Sequence, residues 1–219
     1  VAIGGSEAGN YGITAIAQNP VDKVWYGVET EGRLFSFTPG DPNATIIGEH
    51  TATGHISDMD FGPDGTLYAW STDCECLSKI DLETAEVDEY GETIEYYASG
   101  LAIDPNIEVA YMKSENEFYT IDLASGLQIG DYISLDDPDY LVNMLDIGPE
   151  GDIYTGLRTD WDDGEFVFCT IDTSDGTVTQ LYTYDIEYVS AISVEASDWL
   201  TTDPNKGMLS SGESAQIAI

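Results

Sequence analysis

The residues that could carry chemistry in this chain are mostly carboxylates. The sequence has 42 Asp and Glu, against 6 Lys and Arg and 2 His. Two carboxylates that face each other across a cleft can hydrolyse a glycosidic bond. The candidates for such a pair stand on short apolar segments that lead into turns: Asp58, Asp60, Asp104 and Asp146. Nothing selects one pair among so many acids, so the sequence assigns no catalytic residue.

Nucleophilic catalysis has little support in the sequence. An activated nucleophile needs a base beside it, most often a histidine. The two histidines are His50 and His55, and neither stands in a Gly-x-Ser-x-Gly elbow or a His-Glu-x-x-His helix. Both have the surroundings of polar loop residues. A histidine-dependent hydrolase is therefore not expected within this segment.

Two acidic clusters predict calcium binding. Hard cations such as Ca²⁺ prefer several oxygen ligands on a flexible loop. The first cluster places acids before Gly164, which permits a sharp turn, and it consists of Asp160, Asp162, Asp163 and Glu165. The second cluster consists of Asp136, Asp137 and Asp139. Neither completes a calcium-binding helix–loop–helix pattern, and a solvated charged loop is the alternative for both. The first cluster ranks above the second.

Four aromatic residues are candidates for ligand binding. Trp161 stands inside the first acidic cluster, and Tyr90, Tyr96 and Tyr97 follow one another closely. Tyr and Trp stack on sugar rings and anchor protein partners at a low cost in conformational entropy. Packing in the interior is the alternative for the three tyrosines. Trp161 is expected to be exposed, because acids flank it.

The charge balance excludes some partners. The formal net charge is −36. Such a surface repels nucleic acids and anionic membranes, because binding to phosphates requires clustered Lys and Arg. Self-repulsion would also destabilise the fold unless cations screen it or bind to it. The sequence therefore predicts a saline habitat, bound divalent cations, or both.

The three cysteines do not form a complete framework. Cys74 and Cys76 stand in a Cys-Glu-Cys segment, and Cys169 is far away in the sequence. A disulfide across one residue requires a sharply bent loop. Two thiolates without obvious Cys or His partners nearby also make a weak zinc site.

An internal repeat organises the chain. The segments 13–20, 56–63, 100–105 and 142–149 each read as a short apolar strand that leads to a turn proline, and these prolines are spaced by 43, 42 and 44 residues. A second strand rich in Tyr and β-branched residues follows each of them, at 24–28, 67–70, 109–112 and 153–157. A third strand comes next, at 34–37, 77–81, 118–122 and 168–172, and a less regular fourth strand completes the period. Four short strands in a period of roughly 40–50 residues are typical of a β-propeller blade.

The turns agree with this interpretation. The segments 62–65 and 148–151 have the form Gly-Pro-acid-Gly, in which Pro presets φ and Gly supplies a positive φ. No segment shows sustained helical periodicity. We therefore predict an all-β fold, a propeller of four-stranded antiparallel blades, with a β-sandwich as the alternative.

The repeat resembles a known group of propellers. The pattern of the repeat is an apolar strand, Asp-Pro or Gly-Pro, a hairpin, Leu-Tyr, and then Tyr-Thr-Ile-Asp-x-x-x-Gly. This pattern is similar to the divergent repeats of large secreted bacterial proteins, and in shape to WD40-like and quinoprotein-like propellers. The sequence has no regular Trp-Asp dipeptide and no quinone-site signature. The resemblance spans residues 1 to about 197 and implies an extracellular propeller, but it implies no activity, because propellers host many functions.

Both ends of the chain read as parts of further units. Residues 1–5 align with a fourth strand, and residues 188–195 align with a first strand. The blades therefore occupy 1–197, with four full blades and partial strands at both ends. Residues 198–219 either complete a fifth blade that closes with 1–5, or resemble the opening strands of an immunoglobulin-like module.

The function that we expect from the sequence is non-catalytic. An extracellular or cell-surface module would serve adhesion, recognition of a protein or glycan, or surface assembly, with calcium as a stabilising cofactor. One alternative is a carboxylate-based hydrolase or lyase that acts from the propeller channel. Another is a structural subunit of a filament or surface layer that assembles through its end strands.

Overall fold

The structure is a computed structural model, and the part that can be described is the repeat region. It comprises residues 12–38, 43–91, 100–114, 116–136, 140–148, 151–158 and 166–184. The side chains of 140–143, 157, 158 and 184 are not described. The segments 1–11 and 185–219, with the predicted end strands and the immunoglobulin-like start, lie outside these ranges.

Within the described ranges, four antiparallel sheets of four strands each follow one another along the chain. Blade 1 consists of β1 (Ile13–Gln18), β2 (Trp25–Glu29), β3 (Arg33–Phe37) and β4 (Thr45–Glu49). Blade 2 consists of β5 (Ile56–Phe61), β6 (Leu67–Ser71), β7 (Cys76–Ile80) and β8 (Val87–Tyr90). Blade 3 consists of β9 (Gly100–Asp104), β10 (Val109–Ser114), β11 (Glu117–Asp122) and β12 (Ile133–Ser134). Blade 4 consists of β13 (Tyr140–Ile147), β14 (Ile153–Arg158), β15 (Phe166–Ile171) and β16 (Val178–Tyr184).

The first strands of the blades lie at the centre of the assembly. β1 contacts β5, β5 contacts β9, and β9 contacts β13. β5 also contacts β13, so three first strands converge. The arrangement is a four-bladed β-propeller, which confirms the fold predicted from the repeat. Gly100 permits part of this convergence, because a Cβ there would lie 3.0 Å from the Cβ of Leu145.

The hydrophobic core lies between the blades. Val28 of blade 1 and Met59 of blade 2 belong to one buried cluster. Trp70 of blade 2 and Met112 of blade 3 belong to a second, and a third joins blades 3 and 4 in the same way. Each blade buries both faces except at its outer strand. This explains the near-continuous apolar character of β2, β6 and β9, all of whose residues are buried.

A repeated aspartate forms the turn between the third and fourth strands. The carboxylates of Asp81, Asp122 and Asp172 accept hydrogen bonds from amides two or three residues further on. These hydrogen bonds, with those from the Thr or Ser hydroxyls of the same turns, lower the pKa of each aspartate. The Ile-Asp motif is thus a structural signature, in which the aspartate satisfies turn amides.

No helix in the described part of the chain is long and apolar enough to cross a membrane.

Candidate functional site

The inner edge of the propeller presents unpaired backbone amides. β9 pairs with β10 on one side only, because it is the first strand of its sheet. Alternate amides of β9 therefore point away from β10 and need another acceptor, since a buried N–H without a partner is costly. The same holds for β13, which pairs only with β14. Carboxylates of β5 supply the acceptors.

Asp58 joins three first strands. Its Oδ1 accepts a hydrogen bond from the amide of Met59 at 2.9 Å. Its Oδ2 accepts one from the amide of Leu101 on β9 at 2.9 Å, and one from the amide of Leu145 on β13 at 3.2 Å. The side chain is buried, with 3% of its surface exposed. Asp58 is therefore a joint between blades 2, 3 and 4.

Asp60 repeats this arrangement one pleat further along β5. Its Oδ1 accepts a hydrogen bond from the amide of Phe61, and its Oδ2 accepts one from the amide of Ile103, both at 2.7 Å. Leu101 and Ile103 are two residues apart, so their amides point to the same edge of β9. The alternation of Asp58 and Asp60 on β5 matches this spacing.

The other two acids named from the sequence have local contacts. Asp104 is buried, and it accepts a hydrogen bond from the amide of Asn106 at 2.8 Å in the turn after β9. Asp146 is also buried and accepts one from the amide of Ile147 at 2.7 Å. Asp58 and Asp60 connect blades, and the contacts described for Asp104 and Asp146 lie within one blade.

Lys113 adds a buried amine to this centre. It lies on β10 opposite Gly100 of β9, and its side chain is fully buried. Its Nζ has no hydrogen-bond partner within the described ranges. Burial lowers the pKa of Lys113 to about 7, and the charge of Asp58 opposes this shift. Sequence reasoning missed this residue. The available signal was a lysine, one of only 6 basic residues, inside an apolar strand.

Burial also perturbs the two carboxylates. Loss of hydration raises the pKa of Asp58 well above its usual range, and three amide hydrogen bonds oppose this shift. The same balance raises the pKa of Asp60 to about 7. The amide hydrogen bonds stabilise the ionised form of Asp58, against the effect of burial, which favours the neutral form.

These shifts predict a stability minimum near pH 7. The folded-state pKa of Asp60 is raised, so its contribution is present below about pH 4 and is lost as the pH rises to about 7. The folded-state pKa of Lys113 is lowered, so its penalty is relieved as the pH rises from about 7 towards 10.5. Urea midpoints measured between pH 5 and 9 should pass through a minimum. Asp60→Asn should make the acid limb shallower, because the raised pKa of Asp58 contributes the rest of its slope, and Lys113→Met should flatten the alkaline limb. Variants that keep both slopes would contradict the assignment.

The residues predicted for calcium lie mostly outside the described ranges. Asp137, Asp139, Asp160, Asp162, Asp163 and Glu165 are among those left out. The described acid is Asp136, whose Oδ1 accepts a hydrogen bond from the amide of Val178 at 2.8 Å. Thr51 accepts one from the amide of Val87 at 2.8 Å at the equivalent place between blades 1 and 2. Asp136 thus links blades 3 and 4, and its predicted role in a cation site stays a prediction.

Of the predicted aromatic residues, Tyr90 is described. It is half-buried, its hydroxyl donates to the carbonyl of Leu123 at 2.8 Å, and its ring lies 4.7 Å from the Nζ of Lys79. It packs against the cluster between blades 2 and 3. Burial raises the pKa of Tyr90. Tyr96, Tyr97 and Trp161 lie outside the described residues.

A second group of polar residues surrounds the hairpin between β6 and β7. Cys74 and Cys76 form a disulfide there, and Glu75 between them adopts a positive φ of 53°. This is the sharp bend that a Cys-x-Cys disulfide requires. Glu89 of β8 lies beside them. Its carboxylate accepts hydrogen bonds from the amide and hydroxyl of Thr53, in the connection that leads to β5.

The histidines also lie in the connection between blades 1 and 2. His50 is partly buried, and its Nδ1 has no hydrogen-bond partner in the described part of the chain. Burial lowers the pKa of His50, and the nearby His55 lowers it further. His55 is exposed, and its amide is bonded to the hydroxyl of Thr72. The contacts described for the histidines are with loop and hairpin residues, so they do not form a nucleophile–base pair there.

Comparisons with known proteins support the fold. No protein-family model and no curated protein matches the sequence. Among solved structures, hydrazine synthase from Kuenenia stuttgartiensis matches with a TM-score of 0.57 and 18% identity, over 83% of this chain and 52% of that one. The WD40 repeats of RRP9 match with a TM-score of 0.53 and 12% identity, over 80% of this chain and 52% of that one.

A streptogramin B lyase is also similar in structure. Its TM-score is 0.53 and its identity 14%, over 84% of this chain and 59% of that one. The match therefore spans between half and three-fifths of each of the three structures. These identities show a shared propeller fold, and the three proteins differ in what they do.

Proposed function

We propose that this chain is a non-catalytic recognition module that works outside the cell and binds a protein partner through its loops and outer strands. The observation that carries the proposal is the use of the central carboxylates. Both oxygens of Asp58 and of Asp60 accept backbone amides: Oδ1 from the next residue of β5, and Oδ2 from neighbouring blades. A carboxylate that serves as acid, base or nucleophile needs an oxygen directed at the substrate. The carboxylates of the inner strand β5 therefore hold the blades together, and we assign partner binding to the outer surface.

An apolar surface on blade 3 supports this role. Leu127, Ile129 and Tyr132 are 47%, 46% and 48% exposed. We call these three residues the blade 3 rim. They precede β12, which pairs with β11 at only two positions. Exposed apolar side chains beside a short edge strand are a frequent site of protein binding.

The chemistry of the blade 3 rim favours a protein over a glycan. Two of its three side chains are aliphatic, whereas sugar rings stack on aromatic faces. The net charge of −36 favours a partner with a basic surface around an apolar centre. Glycan binding through Tyr96, Tyr97 and Trp161 remains the second form of the proposal. Assembly through the end strands is the third, and these strands lie outside the described residues.

The test is a binding screen with a matched variant. The chain would be applied to arrays of basic extracellular protein domains and of glycans, in buffer of physiological ionic strength. The proposal is supported if the affinity for a partner found in the screen falls at least tenfold when Leu127, Ile129 and Tyr132 are changed to Ser. The affinity should not fall in Ile107→Ser. Ile107 is 59% exposed in a turn of the same blade, so it controls for general loss of surface hydrophobicity.

Catalysis is the result that would overturn the proposal. Turnover of a glycoside or lactone substrate that Asp58→Asn or Asp60→Asn abolishes, without loss of folding, would show that these carboxylates do chemistry. In that case the amide contacts would be those of a resting state. The lowered pKa of Lys113 would then provide a general base beside the acids.

Calcium is proposed as a stabilising ion of the loops. Millimolar Ca²⁺ should raise the melting temperature by several degrees over chelator at equal ionic strength, because a ligand at 100 times its Kd stabilises by about 2.7 kcal/mol. Asp160→Asn with Asp162→Asn should abolish the rise. Asp136→Asn, which alters a described contact between blades 3 and 4, tests the second cluster. An equal rise with NaCl alone would mean that the acids form a salt-adapted surface without a calcium site.

A further inference from the structure

We propose that Cys74, Cys76 and Glu89 form a binding site for a borderline or soft metal ion such as Zn²⁺ when the disulfide between the two cysteines is reduced. The two sulfur atoms and a carboxylate oxygen of Glu89 all lie within 4.8 Å of one another. Such spacing allows all three to bind one ion after small side-chain rotations. The site is independent of the recognition role and lies away from the inner strands.

Strand pairing brings the three ligands together. Cys76 begins β7, and β8 runs beside it, with Glu89 opposite Ser78 and Tyr90 opposite Leu77. Cys74 lies in the tight turn that precedes β7. The amide of Glu75 closes this turn by donating to the carbonyl of Ser71 at 2.8 Å. The ligands thus come from a hairpin and from the adjacent outer strand. All three ligands and these contacts lie within the described residues.

A second observation is that hydrogen bonds fix the orientation of the Glu89 carboxylate. Thr53, from the connection between blades 1 and 2, donates to one carboxylate oxygen through its amide and to the other through its hydroxyl, the latter at 2.9 Å. Outer hydrogen bonds of this kind orient a metal-binding carboxylate. Cys76 is buried, while Cys74 and Glu89 are half-buried, so the site is partly shielded from water and open on one side.

The donor set determines the class of metal. Two thiolates and a carboxylate suit Zn²⁺ better than Ca²⁺ or Mg²⁺, which take oxygen ligands only. Three protein ligands leave a fourth position for water or an external ligand. The two thiolates and Glu89 carry three negative charges, so a bound divalent ion leaves the site with a single negative charge.

Reduction opens the site. A dithiol reductant transfers two electrons and two protons, so that the Cys74–Cys76 bond breaks, two thiols form, and the reductant becomes a disulfide. Binding of Zn²⁺ then releases the two thiol protons. Oxidation reverses the change, because a disulfide sulfur offers no thiolate to the metal. The occupancy of the site therefore reports the redox state of its surroundings.

Cobalt provides the direct test. The full chain would be reduced with a phosphine under nitrogen and titrated with Co²⁺, whose thiolate complexes absorb strongly in the near ultraviolet. We expect a band that saturates at one ion per chain, that Zn²⁺ displaces, and that the oxidised protein lacks. Cys74→Ser and Cys76→Ser should each remove most of it. Cys169→Ser should retain it, because Cys169 is buried in blade 4.

Two milder variants keep the test decisive if a cysteine variant misfolds. Glu89→Gln should weaken Co²⁺ binding about 10- to 100-fold, and Thr53→Val, which removes only the hydroxyl, should weaken it by about tenfold. Both should keep the wild-type circular dichroism spectrum. The proposal is wrong if the reduced protein gives no thiolate band, or if Glu89→Gln binds Co²⁺ as tightly as the wild type.

Discussion

The Asp58→Ala variant is expected to lose on the order of 2–6 kcal/mol of unfolding free energy, because two buried amides lose their acceptor at about 1–3 kcal/mol each. The substitution leaves the amides of Leu101 and Leu145 without an acceptor where three blades meet. It also leaves the buried Lys113 amine without the charge that supports it. Because small domains are stable by only about 5–15 kcal/mol, this loss would bring the propeller close to unfolding.

Equilibrium unfolding in urea, followed by tryptophan fluorescence, measures this loss. Asp131→Ala is the matched control, because it removes an exposed acid before β12 of blade 3 and changes the net charge by the same amount. Asp58→Asn should fall between the two, since its amide oxygen can still accept from β9 and β13. A loss for Asp58→Ala no larger than that for Asp131→Ala would show that the carboxylate does not join the blades.

Gly176→Ala is expected to destabilise the propeller by about 3 kcal/mol, roughly 1 from the backbone and the rest from overpacking. Gly176 ends the turn between β15 and β16 with a φ of +81°, which alanine adopts only at a cost. A Cβ there would also lie 2.4 Å from the carbonyl oxygen of Ser134 in blade 3. A backbone atom cannot rotate away, so blades 3 and 4 would have to separate.

Gly130→Ala separates the two causes. Gly130 has a similar φ of +72°, but a Cβ there would meet nothing within 4 Å. Its substitution should lower the unfolding free energy by only about 1 kcal/mol, the cost of placing alanine at a positive φ. Both variants would be compared by urea unfolding under the same conditions. Equal losses would mean that the contact between the turn and Ser134 does not hold the blades together.

The sequence predicted the architecture because the blade is a local repeat. A first strand, a turn proline and an Ile-Asp turn recur at nearly constant spacing, and each imposes its own backbone geometry. Thus 62–65 forms the predicted tight turn, with Gly65 at a φ of +85°. Asp81, Asp122 and Asp172 stand at equivalent places and make equivalent hydrogen bonds. Such features need no knowledge of distant contacts.

The roles of the central residues could not be read in this way. From the sequence, Asp58 and Asp60 are candidate catalytic acids of the propeller channel. The sequence does not show that amides of β9 and β13 donate hydrogen bonds to them. Lys113 was passed over, because a lysine in a strand is usually at the surface. Glu89 was not connected with Cys74 and Cys76, since the pairing of β7 with β8 decides that contact. In each case the missing information is which neighbour lies across a strand or blade boundary.

The most direct test of the joint between blades is amide hydrogen exchange at residue resolution, compared between the wild type and Asp60→Ala. Asp60 accepts the amide of Ile103, whereas Asp58 accepts those of Leu101 and Leu145. In Asp60→Ala we expect exchange at Ile103 to accelerate by roughly tenfold or more, as a lost hydrogen bond of about 1–3 kcal/mol implies. Exchange at Leu101 and Leu145 should change much less. If Ile103 keeps its wild-type protection, or if all three amides accelerate equally, the carboxylates of β5 do not join the blades.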